Sequence, residues 1–270
     1  MSSIGGVLFT SGRNGNVDIY RMAIDGSALT RQTSNPAIDQ SADWSSDGFR
    51  IAFMSNLSGH YAVFVMNTSG RGLTQLTTTT ADDGFPRWSP DGSRILFTSN
   101  RDFTFELYVM GADGTNPTRL TRNSGNNTGG AWSPDGSRIA FVSTRDGSPE
   151  IYVMRADGTD PVRLTNSTAN AAIHGDRLTW SPDGSRIAFH AYVGGNADIY
   201  VINADGTNPT RLTNDPARDR FPTWSPDGRQ IAFTSDRDGD DEIYLMNVDG
   251  TGQMRLTNSP GLDVLDSWRR

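Results

Sequence analysis

The sequence predicts an all-β fold: a six-bladed β-propeller of four-stranded antiparallel blades. Three ladders of residues predict it. Trp44, Trp88, Trp132, Trp180, Trp224 and Trp268 are separated by 44, 44, 48, 44 and 44 residues. In phase with them run Tyr20, Phe64, Tyr108, Tyr152, Tyr200 and Tyr244, and Asp-Gly turns at Asp25, Asp113, Asp157, Asp205 and Asp249, with Ser69-Gly70 standing in once. A period near 44 that holds four strand-like runs marks a propeller, because one twisted sheet cannot cover its own two apolar faces and a ring of sheets can.

The unit around Trp224 justifies each element. Ser225-Pro226-Asp227-Gly228 follows the first strand; Pro fixes φ at the second position of a type I turn, Asp tolerates the third, and Gly accepts the positive φ that lets a hairpin resume. Ile231-Ala232-Phe233-Thr234-Ser235 is then β-branched and aromatic enough for a strand buried on both faces. Runs such as Glu150-Ile151-Tyr152-Val153-Met154 form the third strand. Arg-Leu-Thr, at Arg119, Arg163, Arg211 and Arg255, forms the fourth.

At the N-terminus, Gly6–Ser11, Asp18–Met22 and Leu29–Thr33 match the second, third and fourth strands, and the missing first strand lies at Leu265–Arg270. The ring is therefore expected to close by N-terminal strands pairing with the C-terminal strand, leaving no open edge. The expected organisation is one propeller domain over residues 1–270, with blades at about 5–34 plus 264–270, 39–78, 83–122, 127–166, 176–214 and 219–258. The four extra residues between Arg163 and Trp180 read as a loop insertion between blades, and Ala191–Asn196 reads as a loop.

Composition narrows the function classes. There is no cysteine, hence no disulfide framework or thiolate metal site. All 24 basic residues are arginine, spread at repeat positions in a chain of net charge −7, which argues against a nucleic-acid footprint. No stretch is long and apolar enough for a membrane span, and the first residues lack the basic and apolar segments of a signal peptide. No Gly-x-Ser-x-Gly elbow or phosphate loop is present. His60, His174 and His190 have no metal spacing. The six tryptophans, each at one position of an apolar strand, read as packing between blades.

Tight, stereotyped turns join first to second and third to fourth strands and must share one face of the disc. The longer, variable connections share the other, and binding is expected there. Five residues before the tryptophans stand Asp39, Asp83, Asn127, Asp219 and Asp263, with Asp176 beside Gly175 in the remaining blade. These six are the candidate ligand-binding residues at the channel mouth, joined by His174 on the inserted loop. Asp39, Asp83, Asp219 and Asp263 are candidate oxygen ligands for a Ca²⁺ ion in the central channel. The competing reading pairs each acid with a loop arginine, such as Arg13, Arg101, Arg145 or Arg237. The alternating acids Asp236 to Glu242 are a fragmentary calcium-loop pattern without the sixth-position Gly or distal Glu.

The recurring Trp-Ser-Pro-Asp-Gly-Ser-Arg-Ile-Ala-Phe (from Trp132), Glu-Ile-Tyr-Val-Met (from Glu150) and Ala-Asp-Gly-Thr-Asn-Pro-Thr-Arg-Leu-Thr (from Ala112) resemble the WD-like repeat of TolB-type six-bladed propellers. The likeness covers essentially the whole chain. It implies a protein-binding disc, usually of a bacterial envelope or exported protein. Neither the N-terminal α/β domain of TolB nor a hydrolase domain stands within these 270 residues. The expectation is a monomeric, non-catalytic scaffold that binds a protein segment, small ligand or cation at the channel mouth and variable loops and requires no cofactor. The alternative is a propeller-type lyase or hydrolase using a channel metal and carboxylates.

Overall fold

The computed structural model describes residues 6–166, 171–173 and 177–269. Among these, every regular element is a strand, and the strands form six antiparallel sheets. Blade 1 is made from both ends of the chain: Asp263–Trp268 lies inside, followed outward by Gly6–Ser11, Asp18–Ala23 and Thr30–Arg31. Its closure pairs Val7 with Trp268 and Ser11 with Asp263, as the sequence predicts. Blade 2 begins at Asp39–Trp44, blade 3 at Asp83–Trp88, blade 4 at Asn127–Trp132 and blade 6 at Asp219–Trp224, each followed by strands in sequence order.

Burial explains why the blades close into a ring. Second strands such as Arg138–Ser143 are buried from their second residue onward, so both faces need cover. Neighbouring blades supply it in six apolar clusters, each holding one tryptophan. Leu8 and Ile19 of blade 1 meet Trp44 and Phe53 of blade 2; Ala232, Ile243 and Leu245 of blade 6 meet Trp268, Phe9 and Tyr20 of blade 1. The tryptophans are thus inter-blade packing. The indole Nε1 of Trp132 donates to the carbonyl of Arg87 at 3.3 Å and that of Trp180 to Ala131 at 3.1 Å, each reaching back to the preceding inner strand. Arginines at the head of the second strand close the other side: the guanidinium of Arg94 lies 4.8 Å from the ring centre of Trp132, and that of Arg138 4.8 Å from Trp180.

The turn glycines have two duties. Gly92, Gly136, Gly184 and Gly228 all sit at φ +70°. A Cβ on Gly136, Gly184 or Gly228 would also touch the proline of the preceding blade's turn, Pro90, Pro134 or Pro182. The turns therefore interlock around one face. Backbone bonds from Ala112 to Ser93 at 2.9 Å and from Ala156 to Ser137 at 3.0 Å tie both kinds of tight turn together there, whereas Asn100 to Asp82 and Thr144 to Asn126 join the variable loops to the inter-blade connections on the opposite face. The two are called the turn face and the loop face below.

Blade 5 departs from the expectation. Ala191–Asn196 is not a loop but the end of a long hairpin, Arg186–Val193 against Asn196–Asn203, closed by Gly194 and Gly195 at φ +63° and +90°. Two consecutive left-handed glycines suit the twist of a two-residue hairpin. Part of the insertion, Ala171–Ile173, pairs with Ala191–Val193 and adds a strand to the sheet. Gly194-Gly195 is a turn within a longer ladder and not the punctuation of a connection.

Candidate functional site

The acids at the loop-face ends of the inner strands are buried one by one in their own blades. Asp39, Asn127, Asp219 and Asp263 have no exposed surface and Asp83 almost none. Asp263 accepts from Arg13 at 2.6 Å and Ser11 at 2.6 Å; Asp83 accepts from Arg101 at 2.9 Å; both oxygens of Asp219 accept from Arg237 at 3.0 Å. Asn127 accepts from Arg145 at 3.2 Å and donates to Glu106 at 2.9 Å. Each of these arginines also lies over two aromatic rings of its blade, as Arg101 does over Phe97 and Tyr108. Asp39 is the exception, because Leu57 stands where the loop arginine would be; Asn35 donates to it at 2.6 Å. Burial raises the Asp39 carboxyl pKa, and the charge of Asp18 adds to the rise against hydrogen bonds from Ser55, Thr33 and Asn35. The Asp219 pKa is also raised by burial, with Ser235 and Arg237 working against it.

Each described sequence-predicted residue is therefore engaged by partners of its own blade and adjoining loop. Among the described residues no group of three or more histidines and carboxylates is arranged to hold a metal ion, so Asp39, Asp83, Asp219 and Asp263 do not fit a calcium cage. The physical reason is that each acid is spent on its own loop. Four of the five alternating acids are spent likewise: Asp236 on Arg218 at 2.6 Å, Asp238 on Arg255 at 3.2 Å, Asp241 on Arg220 at 2.5 Å, and Glu242 on Arg255 at 2.7 Å. Asp176 and His174 lie outside the described residues. His190 is buried edge-on against Phe221 and Tyr192.

A second set of carboxylates stands two strands further out, on the third strand of each blade. Asp18, Glu106, Glu150, Asp198 and Glu242 are fully buried, and each accepts from the arginine of its outer strand, as Glu106 does from Arg119 at 2.6 Å. Tyr108 and Tyr152 donate to Asp102 and Asp146; burial first and these acids second push both phenols up to about 12. Most of these loop-face acids are held in ion pairs; Asp39, with Asn35, and the Arg145–Asn127 contact are the exceptions.

The open space is at the other end. A cavity of about 400 Å³ occupies the turn-face half of the channel, and all six tryptophans line it with Pro90, Pro134 and Pro182. Around its wall run the six residues that precede the tryptophans: Asp43, Arg87, Ala131, Thr179, Thr223 and Ser267. They are aimed there by a bulge in the inner strands, where Ser41, Phe85, Gly129 and Phe221 adopt φ +53° to +64° and pairing slips before Asp43, Arg87, Ala131 and Thr223. Asp266 lines the cavity and is held by Arg177 at 2.5 Å, reaching from blade 5 to blade 1, and by Thr10 at 2.8 Å. Asp43 accepts from the Trp88 backbone N–H at 2.8 Å.

Arg87 differs from Arg13, Arg101 and Arg237, which hold the carboxylates of Asp263, Asp83 and Asp219. Its one hydrogen bond among the described residues goes to the carbonyl of Pro86 at 3.1 Å, and no carboxylate lies within ion-pair distance. Desolvation lowers the guanidinium pKa, with Asp43 and Asp266 opposing and Arg177 reinforcing the shift, while part of the side chain stays exposed. The sequence analysis missed this ring. Its signal was available: the position before the constant tryptophan is Asp, Arg, Ala, Thr, Thr and Ser in successive units, the variation of a recognition position inside an invariant frame.

Comparison with known proteins follows this geometry. TolB from Acinetobacter baumannii is 26% identical with a TM-score of 0.87, over 98% of this chain and 66% of that one; the present chain thus spans less than two thirds of that protein. A TolB candidate from Agrobacterium tumefaciens is 23% identical with a TM-score of 0.78, over 98% and 94%. An oligogalacturonate lyase in complex with manganese shares the fold at 16% identity and a TM-score of 0.65, over 94% and 74%. No curated protein sequence matches. The family model described as the TolB beta propeller domain, PD40, matches residues 79–179 and 169–269, and on that match, over most of its length, this chain belongs to the TolB beta-propeller family.

Proposed function

We propose that the chain is a non-catalytic binding scaffold, and that a peptide segment or small ligand bearing a carboxylate enters the channel from the turn face. The observation that carries this reading is Arg87, a guanidinium held inside the cavity of about 400 Å³ without a carboxylate partner among the described residues. The guanidinium is only partly covered, and the opposite charges of Asp43 and Asp266 stand in the same cavity without an ion pair to it, so a ligand carboxylate can take the bidentate partner position that they leave open. The volume is ordinary for a small-ligand site, and the indole and proline walls are apolar and preformed. The TolB likeness agrees with a scaffold. The likeness to the lyase is one of fold, and the described carboxylates do not assemble into a metal site, so no catalytic step is assigned.

All six tryptophans line the cavity, so their emission reports its occupation. Titration with short peptides ending in a free carboxylate is expected to change that emission saturably, and the same peptides amidated are expected to bind more weakly. Arg87→Gln should lose about 1.5–3 kcal/mol of affinity, the worth of a hydrogen bond to a charged group. Equal affinity of parent and variant would refute the site.

A further inference from the structure

Five blades close the variable loop with the same turn, in which the fourth residue donates to the first: Gly15 to Gly12, Gly59 to Asn56, Phe103 to Asn100, Gly147 to Thr144 and Gly239 to Asp236, at 2.9 to 3.0 Å. The donor is always left-handed, at φ +81°, +94°, +73°, +98° and +107° in that order. Four blades use glycine there, which adopts this backbone freely; blade 3 uses phenylalanine, for which it is strained. The side chain recovers nothing within the fold, because Phe103 is fully exposed.

Its neighbours share the anomaly. Phe105 is over a third exposed, and so is Leu57, which replaces the loop arginine of blade 2. The two loops are joined through Asp82, which accepts from the Tyr61 backbone at 3.2 Å and donates its own N–H to Asn100 at 2.9 Å. Asp82 is exposed at this rim, whereas Asp102 is paired with Arg119 at 2.9 Å and Arg101 turns inward onto Asp83 and its aromatic pair.

We infer that the loop rim of blades 2 and 3 is a second docking surface, separate from the channel, for a partner protein that presents an apolar and basic segment, with Phe103 as its anchor. Strain without internal return accounts for the aromatic residue; Leu57 and Phe105 widen the apolar contact; the exposed Asp82, in a chain of net charge −7, selects for positive charge. An anionic bilayer does not fit, since the rim and the net charge of −7 would repel it.

The test uses a fluorescently labelled amphipathic helix of leucine and lysine, and a second in which glutamate replaces lysine. Anisotropy is expected to show the basic peptide binding the full chain, with affinity about tenfold weaker in Phe103→Gly and unchanged in Arg87→Gln, so that failure here is distinguishable from failure of the channel site. Phe103→Gly should also melt about 2–4 °C higher, because the strain is relieved. A lower melting temperature would make Phe103 a packing residue and overturn the inference. So would equal binding of both peptides, equal binding to parent and Phe103→Gly, Phe103-dependent binding to phosphatidylglycerol vesicles, or Phe103-dependent dimerisation.

Discussion

The two mouths of the channel are built from the same repeat yet differ in what they leave undone. At the loop-face mouth the inner strands of blades 1, 2, 3 and 6 begin with buried acids, and in blades 1, 3 and 6 an arginine completes the pair. At the turn-face mouth the strands end in a cavity where the residue changes from blade to blade and Arg87 has no carboxylate at ion-pair distance among the described residues. Repetition of a charged residue around a ring is therefore a poor sign of a site, because a structural duty repeats with the blades. A position that varies while its neighbours stay fixed is the better sign.

The comparison breaks first at the tryptophans, which frame the turn-face mouth but hold the blades together. Trp132 is buried among Leu96, Leu107 and Phe141, so Trp132→Ala should cost about 3–5 kcal/mol as a large-to-small core change. Chemical denaturation measures it. A cost under about 0.5 kcal/mol, typical of surface positions, would move the indole out of the blade interface.

Removing a loop-face arginine should rank next. Arg237→Ala strands Asp219, which has no exposed surface; breaking a pair whose arginine is partly exposed is expected to cost about 2–3 kcal/mol, somewhat below the range for fully buried pairs. Because the partner is desolvated, the loss should persist at high salt. A loss that disappears in 1 M salt would mean a merely superficial pair.

Asp39 sharpens the same contrast from within one ring. Its carboxyl pKa is raised in the fold, so the charged form opposes folding; the stability it allows is full below the ordinary carboxylate range and is lost as pH rises through the raised value. Asp39→Asn should therefore melt higher than the parent at pH 7, with the gain shrinking toward acid pH. Asp219→Asn should not gain in the same way, since Arg237 would lose its ionic partner. Blade 4 already carries Asn127 at this position, beside Glu106. Equal melting of Asp39→Asn and parent at pH 7 would place Asp39 in a better compensated setting than its contacts indicate.

The ring, its closure and the duty of Trp, Pro-Asp-Gly and Asp-Gly were legible because each is a local rule repeated in phase: a turn geometry, a two-sided strand, a large side chain at one register. The candidate site was not. Nothing in Asp83 or Asp263 says that Arg101 or Arg13 lies across the strand pair, since that contact depends on how a loop folds back. The inner-strand bulges at Ser41, Phe85, Gly129 and Phe221 were also hidden, because three of the four residues are not glycine; without the bulge, alternation does not indicate that Arg87 and Thr223 face the channel. Blade 5 misled for a related reason, its Gly194-Gly195 being a hairpin turn in a longer ladder.

The smallest effect expected on stability belongs to the residue with the largest expected effect on binding. Arg87→Gln removes a cation that has no carboxylate partner, so its melting temperature should lie at or slightly above that of the parent. The central claim is that binding belongs to the turn-face mouth, and the direct measurement is calorimetric titration of a free-carboxylate peptide into parent, Arg87→Gln and Arg145→Ala proteins. Saturable heat is expected with the parent and with Arg145→Ala, and at least tenfold weaker binding with Arg87→Gln. Binding that survives Arg87→Gln but is lost with Arg145→Ala would contradict the account and return the site to the loop face.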